Sequence, residues 1–264
     1  MKWSFTFPQG FNKALALSYD DGQIHDRRLV EILNRHGLKG TFHLNSGSLS
    51  SKGFVEREEV ASLYKGHEIS AHGVSHAWLS HLSDDLAVSE ILEDRRALES
   101  LAGYPVRGMS YAFGSYALDA PKKLKILGIE YARTVAATHS FAVPANFLTW
   151  HPTCHHNDRL MEMAENFINL PAYARLAIFY VWGHSYEFNG DGNWDLIEGF
   201  ASKMEGAQGV WKATSIEIAR YIAAARSLVT SVNGDIAHNP AGISLWIEAA
   251  GEIRCIAPGG TIIL

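Results

Sequence analysis

Two short stretches of the chain gather side chains able to hold a cation. The first is Ser18-Tyr19-Asp20-Asp21-Gly22, at the end of an apolar run. Adjacent carboxylates repel, so burying such a pair calls for a cation or a shared proton. Asp-Gly is also a common turn dipeptide, so this stretch alone fits a turn equally well. The second is His72-Gly73-Val74-Ser75-His76. Two histidines four apart lie on one face if the segment makes a helical turn, and both can then reach one ion. With 13 histidines in the chain, such a pair also arises by chance. Taken together, each at the end of a predicted strand, the two stretches point to a metal centre. Two imidazoles and a carboxylate, with positions left for water, suit Zn, Co, Ni, Mn or Fe.

The elements that must position these residues follow from the hydrophobic pattern. Apolar residues make up 47% of the 264 and charged residues 19%, as in a globular chain with a substantial core. Strands are predicted over 14–18, 40–44, 67–71, 106–111, 129–135, 176–182 and 210–213. Helices are predicted over 26–36, 56–64, 83–101, 158–170, 194–204 and 215–227, with a further one between 111 and 129. In the 83–101 segment Ser83 is placed to cap, Ala87, Ile91, Leu98 and Leu101 make the apolar stripe, and Gly103 ends it. Alternating strands and helices imply right-handed crossovers and a parallel sheet, and this many units favour a closed or distorted barrel. In such barrels chemistry sits at the C-terminal strand ends. The tail differs, with short alternating runs over 243–247, 252–256 and 261–264 broken by Gly and Pro. The expected division is a barrel over 1–229 and a small β extension over 230–264.

The net charge of -5 and the lack of a Lys/Arg-rich run argue against nucleic-acid binding. Cys154 and Cys255 stand far apart, which excludes thiolate zinc sites and a disulfide framework. No apolar stretch approaches a membrane span and no leader pattern opens the chain, so the expectation is a cytoplasmic protein with no membrane partner.

Ser18-Tyr19-Asp20-Asp21-Gly22 resembles the TFDDG motif of the polysaccharide deacetylases, the NodB-homology group or carbohydrate esterase family four. Residues 66–83, GHEISAHGVSHAWLSHLS, resemble that family's second motif. The resemblance runs from about residue 14 to about 184. It implies a distorted (β/α) barrel of seven or eight units, a single divalent metal, zinc first among the candidates, and removal of acyl groups from N-acetylated sugars. Carried over, Asp20 is the catalytic base, and Asp21, His72 and His76 are the metal ligands. His184, closing the apolar run Phe179-Tyr180-Val181-Trp182-Gly183, resembles the family's catalytic histidine, with Trp182 walling the pocket. A capped surface histidine is the alternative reading for His184.

The sequence departs from the family at two motifs. Where the family has RxPYG, the chain has Ser110-Tyr111-Ala112-Phe113-Gly114; Phe113 is placed to donate an oxyanion-hole N–H, with Tyr111 beside it on the substrate side. The Asp-rich fourth motif is absent, and Tyr131-Ala132-Arg133-Thr134-Val135 stands in its place. The resemblance has an arginine orienting the base, so the expectation is that Arg133 pairs with Asp20 directly; the alternative is a surface arginine. Two polar loops, 150–157 and 187–194, are candidates for specificity, with Trp194 stacking on a sugar, or else simply solvated. The expected activity is metal-dependent hydrolysis of a C–N amide bond in an N-acetylated saccharide, with a small molecule or oligosaccharide as partner. Cyclic amides are the alternative substrate, and a carbohydrate-binding protein on the same fold is the rival from outside enzymology. Oligomeric state is not legible.

Overall fold

Seven successive residues of the first long strand, 14–20, are buried, so that strand must be covered on both faces. Leu15, Leu17 and Tyr19 point outward into the core shared with the surrounding helices. Ala14, Ala16, Ser18 and Asp20 alternate with them and face inward. The inward face therefore turns from apolar to polar towards the strand's C-terminal end, where the candidate site lies.

The structure is a computed structural model that describes residues 3–171 and 173–264. After β1 (Trp3–Thr6) come β2 (Lys13–Asp21), α1 (Asp26–Arg35), β3 (Thr41–Leu44), α2 (Val60–Leu63), β4 (Glu68–Ala71), α3 (Asp84–Ala102), β5 (Gly108–Ser110), α4 (Ala120–Ile126) and β6 (Tyr131–Arg133). Then follow β7 (Cys154–His155), α5 (Leu160–Ile168), β8 (Ala177–His184), α6 (Ser185–Gly190), α7 (Trp194–Gly206), β9 (Val210–Lys212) and α8 (Ser215–Arg226). Five short strands end the chain: β10 (Val229–Thr230), β11 (Ile236–His238), β12 (Leu245–Ala249), β13 (Glu252–Ile256) and β14 (Thr261–Ile263).

The main sheet is parallel and ordered β6-β5-β4-β3-β2-β8-β7, with β9 paired to the start of β2. It curls until its ends meet. Trp150 donates to Ala132 O at 2.9 Å and accepts from Thr134 N–H at 3.0 Å, while Thr153 and His156 donate to Tyr180 O and Trp182 O at 2.8 Å. Segment 150–156 thus bridges β6 and β8, and the distorted barrel expected from the strand–helix alternation is the architecture observed. The sequence reading of 150–157 as a polar loop is corrected here: its backbone is paired to strands on both sides, and Thr153 and His156 are buried. Likewise, half of 187–194 belongs to α6, which starts directly after His184 and runs to Gly190.

The tail forms short β-strands, as expected, and they pair antiparallel. β12 and β13 form a hairpin that β1 extends, and β10, β11 and β14 make a second small sheet. The N-terminal strand thus pairs with the tail. Among the described residues no helix is long and apolar enough to cross a membrane.

Candidate active site

β2 presents Asp20 inward at its C-terminal end, and β6 presents Arg133 from across the ring. Both are buried. One guanidinium Nη of Arg133 donates to Asp20 Oδ2, its Nε donates to Ser18 Oγ at 3.0 Å, and its other Nη donates to Thr134 O at 3.1 Å. Its plane also lies 4.5 Å from the Trp182 ring. The structure therefore brings together Asp20 and Arg133, the pair expected from the missing family arginine. Burial by itself would raise the Asp20 carboxyl, but Arg133, and then His72, His43 and His184, outweigh it and hold the group well below the usual carboxylate range. Asp20 stays ionised and fixed in orientation.

Ser110 stands where the resemblance has an arginine. Its hydroxyl donates to Asp20 Oδ1 at 3.2 Å and lies 2.7 Å from His72 Nδ1, and its carbonyl is 3.0 Å from that same nitrogen. Ser110 and Arg133 are register partners on neighbouring strands. Asp20 thus accepts from Ser110 on β5 and from Arg133 on the neighbouring β6.

Asp21, His72 and His76 form the second layer. His72 Nε2 and His76 Nε2 lie 3.5 and 3.6 Å from Asp21 Oδ1. Around a zinc-class ion with bonds of about 2.0–2.2 Å, ligand atoms at a tetrahedral angle sit about 3.3 Å apart. Asp21 Oδ1 is also a buried oxygen that receives no hydrogen bond, which is uncommon unless something else satisfies it. The donor set and its spacing fit a divalent ion. Burial holds the His72 imidazole below its ordinary value, leaving Nε2 an unprotonated donor while Nδ1 is held by Ser110. Second-layer contacts of this kind fix a ligand's tautomer.

The turn carrying both histidines is clamped from α3. Asp94 accepts the backbone N–H groups of Ser46, His72 and Gly73 at 2.8, 3.0 and 2.9 Å. One turn earlier, Glu90 accepts from Ser75 N–H at 2.6 Å and from its hydroxyl at 2.9 Å. Gly73 has φ +85° and lies so close to Glu90 that a Cβ would come within 2.9 Å of the carboxylate. Asp21 and His76 themselves have φ of 82° and 57°. Non-glycine residues in that region cost about 1–3 kcal/mol each and cluster at functional sites. The sequence reading of α3 noticed its apolar stripe and missed this one; the signal was two acidic residues four apart, hence on one helix face.

His184 ends β8 opposite Asp20 in register. Its Nδ1 lies 3.3 Å from Glu187 Oε2, and its backbone N–H donates to that oxygen at 3.0 Å. Burial opposes protonation of the ring, but Glu187, and then Asp20 and Asp21, outweigh it and raise the imidazole above its ordinary 6.5. Glu187 was not picked out by the sequence beyond its place in a loop. The overlooked signal is the spacing His-x-x-Glu, the capping box in which a residue three along reaches back to the helix start.

The substrate-side residues separate. Phe113 is 47% exposed with φ 57°, its ring 4.4 Å from His76 and stacked 4.3 Å from Trp78, so it lies at the site's rim. Trp182 lies between Arg133 and His155, 4.7 Å from the latter's ring. Tyr111 and Trp194 do not face the site. Tyr111 is fully buried, donates to Leu148 O at 2.8 Å and stacks on Tyr116. Trp194 is 7% exposed, packed between Phe188 and the Arg28 guanidinium. Both are corrections to the sequence reading, and both follow from alternation: neighbours of site residues along a strand or turn point into the core. Trp78, exposed beside Phe113, was missed.

Residues 9–132 match the model of the polysaccharide deacetylase family. No curated protein matches the chain at a significant level. Among solved structures, the chain is similar to a polysaccharide-deacetylase-type protein from Mycobacterium smegmatis, at 19% identity and TM-score 0.63, covering 84% of this chain and 93% of that one. It is similar to the PuuE allantoinase at 14% identity and TM-score 0.63, covering 81% and 91%. A family 4 carbohydrate esterase from Streptomyces lividans matches at 15% identity and TM-score 0.53, covering 77% and 93%. The chain spans about half, 55%, of the length of the Streptococcus pyogenes deacetylase PplD that it also matches.

Proposed function

We propose that this chain, a divergent member of the polysaccharide deacetylase superfamily, is a metal-dependent hydrolase of C–N amide bonds that deacetylates an N-acetylated saccharide. The observation that carries this reading is the juxtaposition of two imidazole nitrogens 3.5 and 3.6 Å from Asp21 Oδ1 with an ionised aspartate, Asp20, fixed by Arg133 beside them.

Asp21, His72 and His76 would hold the ion. When bound, it acidifies water and polarises the acyl carbonyl. Asp20 accepts the water proton as the oxygen attacks the carbonyl carbon, and Arg133 keeps it ionised and aimed until then. The Phe113 N–H, at the rim turn, donates to the developing oxyanion. His184, held protonated by Glu187 at Nδ1, gives its Nε2 proton to the leaving nitrogen as the C–N bond breaks. The products are a carboxylic acid and a free amine. Trp78 and Phe113, stacked on each other and each nearly half exposed, supply an aromatic rim beside which a sugar ring packs.

A second reading, a cyclic-amide hydrolase, is supported by the rebuilt third motif, Ser110 and Ala112, together with the likeness to an allantoinase over 81% of the chain. Zinc- or cobalt-loaded protein is assayed on acetylated chitooligosaccharides and on hydantoin-type rings. Acetate release from the sugars alone supports deacetylation; ring opening alone replaces it with the second reading. Sugar binding with no turnover under any metal rejects both and leaves a binding protein.

A further inference from the structure

We infer that His155, His156 and Glu187 form a second divalent-cation site of the zinc class, separate from Asp21, His72 and His76. One donor atom from each of the three lies within 4.8 Å of the others. His155 Nε2 and His156 Nε2 are 3.1 and 3.3 Å from Glu187 Oε2, close to the roughly 3.3 Å expected between ligands on one tetrahedral ion.

His156 carries the argument. It is 0% exposed, and neither ring nitrogen makes a hydrogen bond. A buried polar group left unpaired costs about 1–3 kcal/mol; Nε2 faces the Glu187 carboxylate at 3.3 Å without a hydrogen-bonded geometry, which is the placement of a donor to an ion between them. The ring is not loosely placed. Phe188 stacks on it at 4.1 Å and Tyr19 lies at 5.9 Å. Gly183 makes room for it: a Cβ there would lie 2.0 Å from His156 Nδ1. His155 and Glu187 are partly exposed, which leaves one side open for a water ligand.

His155 Nδ1 accepts the Asn157 backbone N–H at 3.2 Å, so in the ion-free chain its Nε2 carries the proton and donates to Glu187. Ion binding shifts that proton to Nδ1 and releases a single exposed contact. Two imidazoles with one carboxylate select Zn, Co or Ni over Mg and Ca, which prefer all-oxygen shells. Because Glu187 also faces His184, an ion here draws on the carboxylate that supports the acid.

The test counts ions. Chelator-stripped protein is dialysed against micromolar zinc, and zinc per chain is measured by mass spectrometry, with circular dichroism as the folding control. Wild type is expected to hold two ions, and His155→Ala and Glu187→Gln one each. The Asp21→Asn/His76→Ala double variant, with the first centre removed, is expected to keep one. Equal zinc in wild type and both single variants overturns the assignment, as does a double variant that binds none. If His155→Ala does not fold, the near-isosteric Glu187→Gln decides. A double variant that still binds as much as wild type counts against the Asp21 centre, and the single variants continue to report on this one.

Discussion

Asp20 and Arg133 make a buried ion pair whose two halves come from opposite sides of the barrel. Removing one half leaves the other charged and unpaired, which costs about 3–5 kcal/mol. Arg133→Ala is therefore expected to lower unfolding stability by about that amount in denaturant melts, whereas Asp20→Asn keeps a hydrogen-bond acceptor and is expected to fold. Asp20→Asn should retain its metal and lose about 10²–10⁴-fold in kcat, the usual contribution of a positioned base; near-normal turnover would remove Asp20 from that role. On the proposed reaction, the pH dependence belongs to His184. A pKa raised by a carboxylate means that the imidazolium persists to higher pH than an ordinary histidine and is lost as pH rises through the raised value. Turnover with one equivalent of metal should then fall on the basic side, and Glu187→Gln should move that limb to lower pH. An unmoved limb would show that Glu187 does not support the acid. At this scale the sequence was legible where motifs are contiguous, at Asp20, Asp21, His72 and His76. Arg133 could be read only as compensation for a missing arginine. Ser110 was not legible, since its role comes from a neighbour 38 residues away that only the folded chain brings into contact; Asp94 and Glu187 left local signals, the acidic pair four apart and the His-x-x-Glu spacing, that went unread.

The elements decide whether the ligands are presented or merely present. α3 holds the histidine turn with Asp94 and Glu90, a helix reaching over a strand end to fix three backbone N–H groups with one carboxylate. Burial raises the Asp94 carboxyl to about 6, against the Ser46, His72 and Gly73 donors that lower it. Loss of such second-layer support typically weakens metal binding 10–100-fold, so Asp94→Ala is expected to raise the zinc Kd by that factor in competition titrations; an unchanged Kd would mean the turn holds itself. Most strands and helices were legible because their apolar periods are regular, as in β2 and α8. β7 and α6 were not. β7 is two residues in a polar, histidine-rich segment whose pairing partner, β8, lies more than twenty residues further along the chain. α6 is a six-residue helix with glycine at its end, and a period of 3.6 cannot be read from fewer than two turns.

The whole molecule is a parallel barrel whose bottom is sealed by α8 and the tail. Tyr221 on α8 donates to Thr6 O at 2.6 Å and accepts the Trp246 N–H at 3.0 Å, tying β1 and β12 to the barrel. Leu245 is fully buried in the same core cluster as Phe7, Tyr221 and Ile222. Leu245→Ala is expected to cost about 2–5 kcal/mol in thermal or denaturant unfolding while leaving metal stoichiometry unchanged, since the tail packs against α8 and the start of the barrel strands. Altered metal binding in that variant would mean that the tail reaches the site. The β character of the tail was legible from its short alternating runs, but its pairing with the N-terminal strand was not, because no local pattern links residues 3–6 to 246–249. All of this architecture serves one arrangement at the barrel's open end, and one measurement tests it most directly. Crystals of zinc-loaded protein, with anomalous data collected on either side of the zinc edge, are expected to show a peak about 2.0–2.2 Å from Asp21, His72 Nε2 and His76 Nε2. Full zinc loading with no anomalous peak among those three side chains would contradict the account.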